Sequence, residues 1–442
     1  MSRKNVRMIV VTVCVGLLVS ALACVLSPIA WSPDGKWIAC IHFVTKEKPQ
    51  GQGDADMVGM ELWIVSPSPI ERRRLMATSD TLSGPTWQPD SKGIYVVQMG
   101  EKDSSRTAVW RVGLDGQRKS LVQLPRSGEG AGMSVPALSP NGQQIAFARD
   151  KSTVIVARMD GQVARTIELP DEPGNVLWSP DGRWLTVEVD GGGARPSLLF
   201  FDMRSNETFQ LDARFRKLAW LPDGKRFIAM KTQGEAGGEK SFVSVFDNLT
   251  DRRETSSWPL EFKAGGPLVL SRGGEVVYLA RDGEEKELSG ICGLDLANGK
   301  VKTVYESAGA VCPWTLSPDG GRLAFRESGK GEGASAESVV AVLNLKGNAE
   351  PLYLAVDDKE LAAVVMDFAN ALKKVAPGKI SPSEEKIAAL GAVQIERFLA
   401  AFRRDFPKSP LLEKCVAAAK EARAALQQAG VSLNPDAGAP KW

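Results

Sequence analysis

Histidine is the scarcest of the chemically useful residues: a single one, His42, occurs in 442 residues. One imidazole in one chain cannot build a His-rich metal site. A Gly-x-Ser-x-Gly nucleophile elbow and a glycine-rich phosphate loop are also lacking. Excess charge is absent as well. With 55 Lys and Arg against 53 Asp and Glu, the formal net charge is +2, which points to neither nucleic acid nor an acidic surface as partner. The six cysteines (Cys14, Cys24, Cys40, Cys292, Cys312 and Cys415) are scattered without metal-ligand spacing, so buried thiols are expected rather than a metal site. These absences lead to the expectation of a chain with no enzymatic activity, no cofactor and no metal.

What the chain does have is one phrase, repeated. Trp31-Ser32-Pro33-Asp34-Gly35 returns as Trp87-Gln88-Pro89-Asp90-Ser91, Leu138-Ser139-Pro140-Asn141-Gly142, Trp178-Ser179-Pro180-Asp181-Gly182, Trp220-Leu221-Pro222-Asp223-Gly224, Leu270-Ser271-Arg272-Gly273-Gly274 and Leu316-Ser317-Pro318-Asp319-Gly320. Pro sets φ for the second position of a type I turn, Asp or Asn suits the third, and Gly takes the left-handed conformation that closes it. Two residues before each Pro position, and five after it, stands a large apolar residue: Trp31 and Ile38 in the first copy, Leu316 and Leu323 in the last. Each copy is therefore a strand, a tight turn and a second strand with one buried face. A third apolar run follows each phrase, from Leu62–Val65 to Val339–Leu343, and a shorter fourth segment leads to the next, as at Ser120–Leu124.

Four strands per unit of 40 to 56 residues is the period of a propeller blade. The phrase, with its Ile145-Ala146-Phe147 and Leu323-Ala324-Phe325 strands, resembles the TolB-type, WD-like β-propeller repeats. The resemblance spans residues 28–356 and implies an all-β propeller of seven blades, or six if the Arg272 copy or the first copy is not a true blade. Pro33, Asp34, Gly35, Pro89, Asp90, Pro140, Asn141, Pro180, Asp181, Pro222, Asp223, Pro318 and Asp319 are read as structural turn residues rather than ligand contacts.

Arg3, Lys4 and Arg7 precede an apolar run from Met8 to Leu26, so residues 1–24 read as a signal or an N-terminal anchor helix. Ala21-Leu22-Ala23-Cys24 allows three outcomes: ordinary cleavage at Ala23, lipidation at Cys24 in a sequence resembling a bacterial lipobox, or an uncleaved membrane anchor. Each places the rest of the chain outside the cytoplasm, in the cell envelope.

The loops between second and third strands vary: Lys46–Gly59, Gly100–Arg106, Gly191–Arg195, Gln233–Lys240, Asp282–Glu287 and Ser328–Glu337. The longest carries Asp54 and Asp56. Variable loops on a repeat scaffold carry its recognition, so this face is expected to bind a protein partner of the envelope.

Composition changes after Leu354, and residues 358–430 read as a helical region of three helices. Leu361, Val364, Val365, Phe368 and Leu372 share one face. Ser381-Pro382-Ser383-Glu384 is a capping box, and Ser409-Pro410 caps a third helix. Phe398 to Ala425 resembles one tetratricopeptide-like helix pair, which leaves a packing cap and a partner adaptor both open. Residues 431–442 are expected to be a disordered tail.

Two functional classes follow. The first is a non-enzymatic interaction scaffold, which lacks the α/β domain that precedes the propeller in the TolB family. The second is a glycan- or small-ligand-binding propeller, or an enzyme of the kind found among prolyl-oligopeptidase-like peptidases and oligogalacturonate lyases, whose repeats resemble these.

Overall fold

The computed structural model describes residues 29–46, 56–100, 106–125, 134–189, 197–205, 207–211, 215–233, 240–247, 253–281, 283, 288–329, 337–347, 350–375 and 380–433. The expected signal or anchor, with Ala23 and Cys24, lies outside these residues, as do Asp54 and most of the variable loops.

Seven four-stranded antiparallel sheets follow one another along the chain, each built from four consecutive strands. Blade 1 holds β1 (Ile29–Trp31), β2 (Ile38–Lys46), β3 (Asp56–Pro67) and β4 (Ile70–Thr78). Blade 2 holds β5 (Thr81–Trp87), β6 (Gly93–Met99), β7 (Arg106–Gly113) and β8 (Arg118–Pro125). Blade 3 holds β9 (Ala137–Leu138), β10 (Gln144–Asp150), β11 (Thr153–Arg158) and β12 (Val163–Glu168). Blade 4 is β13 (Pro173–Trp178) to β16 (Thr208–Gln210), through β14 (Trp184–Val189) and β15 (Ser197–Asp202). Blade 5 is β17 (Phe215–Trp220) to β20 (Glu254–Leu260), through β18 (Phe227–Gln233) and β19 (Lys240–Phe246). Blade 6 is β21 (Ala264–Leu270) to β24 (Val301–Ser307), through β22 (Val276–Arg281) and β23 (Ser289–Asp295). Blade 7 is β25 (Ala310–Leu316) to β28 (Leu352–Leu354), through β26 (Arg322–Ser328) and β27 (Ser338–Asn344). The fold is a seven-bladed β-propeller. Both the Arg272 copy and the first copy are true blades, so the six-bladed alternative falls away.

The phrase folds by a local set of hydrogen bonds. In blade 1 the Gly35 amide donates to the Ser32 carbonyl at 2.8 Å, the turn-closing bond, and Gly35 has φ +69°. The Ser32 hydroxyl donates to Asp34 at 2.6 Å and accepts from the Trp37 amide at 2.9 Å. Ser139 with Asn141, Ser179 with Asp181 and Ser317 with Asp319 repeat this pattern. In blade 2, Ser91 stands in the glycine position and takes the left-handed conformation itself, at φ +60°.

The turns also pack on one another around one face of the disc. The Cβ direction of Gly182 faces the Pro140 ring at 3.7 Å, that of Gly142 faces Pro89 at 3.8 Å, and that of Gly35 faces Pro318 at 3.8 Å. Gly224 meets Pro180, Gly274 meets Pro222, and Gly320 meets the Cβ of Arg272. Ser91 completes the circle by accepting from the Asp34 amide at 3.0 Å. Each turn thus rests on the turn before it, and blade 1 rests on blade 7. The phrase tryptophans tie blades in the same sense: Trp87 donates to Ala30 O at 2.9 Å and Trp178 to Ala137 O at 3.0 Å.

Among the described residues each blade is made from its own contiguous segment, and no strand is shared across the junction of blades 7 and 1. Side chains close it. Ile29, Trp31, Ile38, Cys40 and Val65 of blade 1 form one apolar cluster with Ala324, Val340, Val342, Leu354 and Val356. Arg322 stacks 4.6 Å over the Trp31 ring and donates to Gly35 O at 3.1 Å.

Three helices follow: α1 (Asp358–Lys373), α2 (Pro382–Asp405) and α3 (Pro410–Gln428). Asp357 caps α1, and Ser381 with Glu384 forms the reciprocal capping box of α2. Ser409 caps α3 by accepting from the Leu411 amide. The helices share a single core with blades 6 and 7, in which Phe368, Phe398 and Phe402 lie with Tyr353 and Trp314. Helix α2 packs on β24 and β28, the outermost strands of those blades, and α1 on β27. Val431, at the start of the expected tail, is buried in the same core. No helix among the described residues is long and apolar enough to cross a membrane.

Candidate functional site

Three places in the described structure concentrate polar or exposed groups that the repeat does not require. The first is on the turn face. Pro33, Asp34, Gly35, Arg272, Pro318, Asp319 and Arg322 line a depression of about 310 Å³ where the turns of blades 6, 7 and 1 meet. Here the expected turn residues come together. Asp34 and Asp319 are held below the usual carboxylate range: burial opposes this, but Ser32 and the Lys36 amide outweigh it at Asp34, and Ser317 leads at Asp319. Their oxygens are engaged within their own turns, and Arg322 is engaged with Trp31 and Gly35. Among the described residues Arg272 makes no hydrogen bond or ion pair. With two carboxylates facing two guanidiniums, the depression carries no net charge to select a ligand.

The second place is the opposite face. The strands β2 and β3 of blade 1 run 9 and 12 residues, whereas the central strands of the other blades run 6 to 8. The extra length lies at the end that leads into residues 47–55, and there Met57 and Val58 are 51% and 47% exposed. Thr45 pairs with Met57 and Val44 with Gly59, a shift of register that marks a bulge. Side chains of this size and polarity are ordinarily buried.

The third place is the seam between blades 7 and 1, where α1 docks. His42, from β2, is almost fully buried. Its Nε2 lies 3.9 Å from Asp357 Oδ2, and its Nδ1 lies 3.9 Å from Glu360 Oε1. Arg326 of β26 lies 3.6 Å from Glu360, donates to Ser338 O at 2.9 Å, and donates to Ile41 O across the seam. Glu337 accepts from Thr45 at 3.4 Å. Burial pushes the Glu337 carboxyl up to about 7, reinforced by Glu360 and Asp357 and opposed by His42 and Arg326. Burial disfavours charge on His42, but the carboxylates of Glu360, Glu337 and Asp357 outweigh it and hold the imidazole above its ordinary value. Cys40, one turn of the pleat away, is pushed up to about 12 by burial.

Beside the seam lies a buried carboxylate. Glu327 of β26 has no solvent exposure and accepts from Tyr305 at 2.9 Å, Tyr353 at 2.8 Å, Ser307 and Gln394. Burial raises its carboxyl, while the hydroxyls of Ser307, Tyr353 and Tyr305 and the charge of Arg397 pull the other way. Gln394 belongs to α2 and also accepts from the Ala308 amide at 3.0 Å. The network therefore joins blade 6, blade 7 and the helices through one side chain.

Of these buried groups the sequence singles out only His42, as the lone histidine, and Cys40, as a buried thiol. The repeat offers no signal for the buried groups: the position four residues after Ile38 and Leu323 that His42 and Glu327 occupy is also polar in four other blades, as Gln98, Arg149, Lys231 and Arg281. The free thiols Cys40, Cys292 and Cys415 are buried. Among the described residues no cluster of His, Cys, Asp and Glu is arranged to hold a metal ion.

No protein-family model matches the sequence. Among curated proteins, the chain is similar to the uncharacterized peptidase YuxL of Bacillus subtilis (strain 168), 27% identical over 161 residues. That match covers 36% of this chain and 21% of the relative, so the chain spans about a fifth of the length of the curated protein it matches. Among solved structures, TolB from Acinetobacter baumannii is 17% identical with a TM-score of 0.41, covering 62% of this chain and 64% of that one. Kuenenia stuttgartiensis hydrazine synthase is 18% identical at a TM-score of 0.47, with coverage of 72% and 94%. A chain of the mitotic checkpoint complex is 13% identical at a TM-score of 0.50, with coverage of 68% and 83%. Identities this low speak to the fold alone.

The curated match corrects one expectation. A chain without enzymatic activity was expected from the single histidine, but a relative it resembles over 161 residues is named an uncharacterized peptidase. The scarcity of histidine therefore does not exclude catalysis. One imidazole rules out particular catalytic constellations, and the inference from those to enzymes in general was too broad.

Proposed function

We propose that this chain is an interaction scaffold of the bacterial envelope, in which the face bearing the β2–β3 hairpin receives a protein partner. The observation that carries this reading is the projecting end of that hairpin, with Met57 and Val58 exposed beyond the length the blade needs. Apolar side chains exposed near the end of a two-stranded element are suited to burial against a partner. The envelope location rests on the basic head and apolar run of residues 3–26. In this reading the three helices are a cap on the propeller rather than an adaptor, because Phe368, Phe398 and Phe402 are spent on the propeller's own core.

The test is capture from the envelope fraction by full-length protein, with cross-linking at the hairpin and identification of the cross-linked peptide by mass spectrometry. The double variant Met57→Lys, Val58→Lys should keep its thermal unfolding temperature and lose the captured protein at least tenfold. Capture unaffected by the double variant would place the partner elsewhere, and capture of no protein by the parent chain would remove the scaffold reading.

A further inference from the structure

The seam cluster contains more negative than permanent positive charge. Asp357 and Glu360 arrive on the N-terminal turn of α1 and its cap, Glu337 precedes β27, and His42 comes from β2. Among the described residues Arg326, from β26, is the one permanently charged cation facing these three carboxylates. Cys40 sits on β2 as a neutral thiol. Glu360 is 1% exposed, Arg326 3% and His42 7%, so water screens these three charges poorly, while the Asp357 side chain is 40% exposed and Glu337 is half-buried. Electrical balance in such a site needs two protons: one making His42 a cation, the other making Glu337 neutral. All four elements that supply the cluster meet only when α1 lies on the junction of blades 7 and 1.

We propose that the docking of α1 on this junction is a proton-held clasp, closed when His42 is charged and Glu337 neutral, and loosened when those protons leave. The direction follows from the position of the groups. Both hold their protons more tightly when docked than when free in solution. Their contribution is therefore fully present below their free values and is lost as pH rises through their docked values. For Glu337 that window runs from 4.5 to about 7. Linkage across it makes undocking about tenfold more favourable at pH 8 than at pH 6. His42 adds to the effect in the same direction.

The clasp holds a junction that no shared strand secures. Loosening it would free the start of α1 from blade 1 while the local hydrogen bonds of each blade persist. The helical cap thereby becomes responsive to the pH of its surroundings.

Amide hydrogen exchange of the full chain, corrected for intrinsic rates, tests this at Leu361–Val365 of α1, with β14 and β15 of blade 4 as the internal control. Protection in α1 should fall about tenfold from pH 6 to pH 8 while β14 and β15 hold theirs. Glu337→Gln, which imitates the neutral carboxyl, should keep most of the pH 6 protection at pH 8. His42→Gln should lower protection in α1 at pH 6 and leave blade 4 unchanged. A fall of equal size in Glu337→Gln, no fall in the parent chain, or a parallel fall in blade 4 would each overturn the proposal.

Discussion

Replacing Tyr353 with Phe isolates the value of one hydrogen bond to a buried carboxylate. Glu327 is shielded from solvent completely, and a carboxylate offers about four acceptor sites. In this structure Ser307, Tyr305, Tyr353 and Gln394 fill them. The ring of Tyr353 packs on Phe398 at a centroid distance of 4.5 Å, and Phe preserves that contact, so no cavity of consequence opens. What is lost is the 2.8 Å bond to Glu327 and the 3.2 Å contact with the Tyr305 hydroxyl. A hydrogen bond to a charged, buried group is worth about 1.5–3 kcal/mol, because the acceptor left behind cannot turn to water. With an unfolding entropy of about 2 cal/mol/K per residue over roughly 400 residues, that loss lowers the unfolding temperature by about 2–4 °C.

The same substitution has a pH signature. Burial already raises the Glu327 carboxyl, and removing a donor raises it further. A raised group stabilises below its unfolded value and loses that contribution as pH rises through its folded value. The deficit of Tyr353→Phe should accordingly be largest near neutrality and shrink on acidification toward pH 4. Urea unfolding at a series of pH values, followed by tryptophan fluorescence, measures both. A deficit under about 0.5 kcal/mol at pH 7, or one that does not change with pH, would refute the argument that Glu327 is an ionised carboxylate dependent on these donors.

Two further outcomes are expected. Arg272→Pro should raise stability by about 0.4–1 kcal/mol in thermal unfolding, since the blade 6 turn already has the geometry of its proline-bearing counterparts; a loss would show that the guanidinium does something the turn needs. Native protein treated with iodoacetamide at pH 8 should remain unmodified at Cys40, Cys292 and Cys415, as burial pushes Cys40 up to about 12 and Cys415 to about 11 and raises Cys292 as well. Peptide mapping that finds Cys40 modified without denaturant would contradict the closed seam.

The propeller was legible because its determinants are local. Pro-Asp-Gly with an apolar residue two before and five after specifies a hairpin within eight residues, and every copy formed one. Even Ser91 and Arg272, which depart from the phrase, left the turn intact, because the closing bond is made by backbone groups. Helix boundaries were legible for the same reason, through the caps at Ser381 and Ser409. The seam was not. His42 and Asp357 are separated by more than three hundred residues in sequence, and Glu327 and Gln394 by 67. Nothing within a short window marks a charged residue in a strand as destined for a buried partner. The helices could be read as helices, yet whether they capped the disc or stood free depended on which surface Phe398 and Phe402 would find.

The closure of the ring by side chains alone has a consequence for how the molecule is made. As the chain leaves the ribosome, each blade can complete its hydrogen bonds from residues already present, and each new turn has a predecessor to rest on. Blade 1 is the exception. Its apolar flank of Ile29, Trp31, Ile38, Cys40 and Val65 has to wait for Ala324, Val340, Val342, Leu354 and Val356, and the buried His42 waits for Glu360. For the whole interval in which the other six blades assemble, blade 1 carries that apolar surface uncovered. The helices arrive last, over the seam, at the moment when the two ends of the arc first touch.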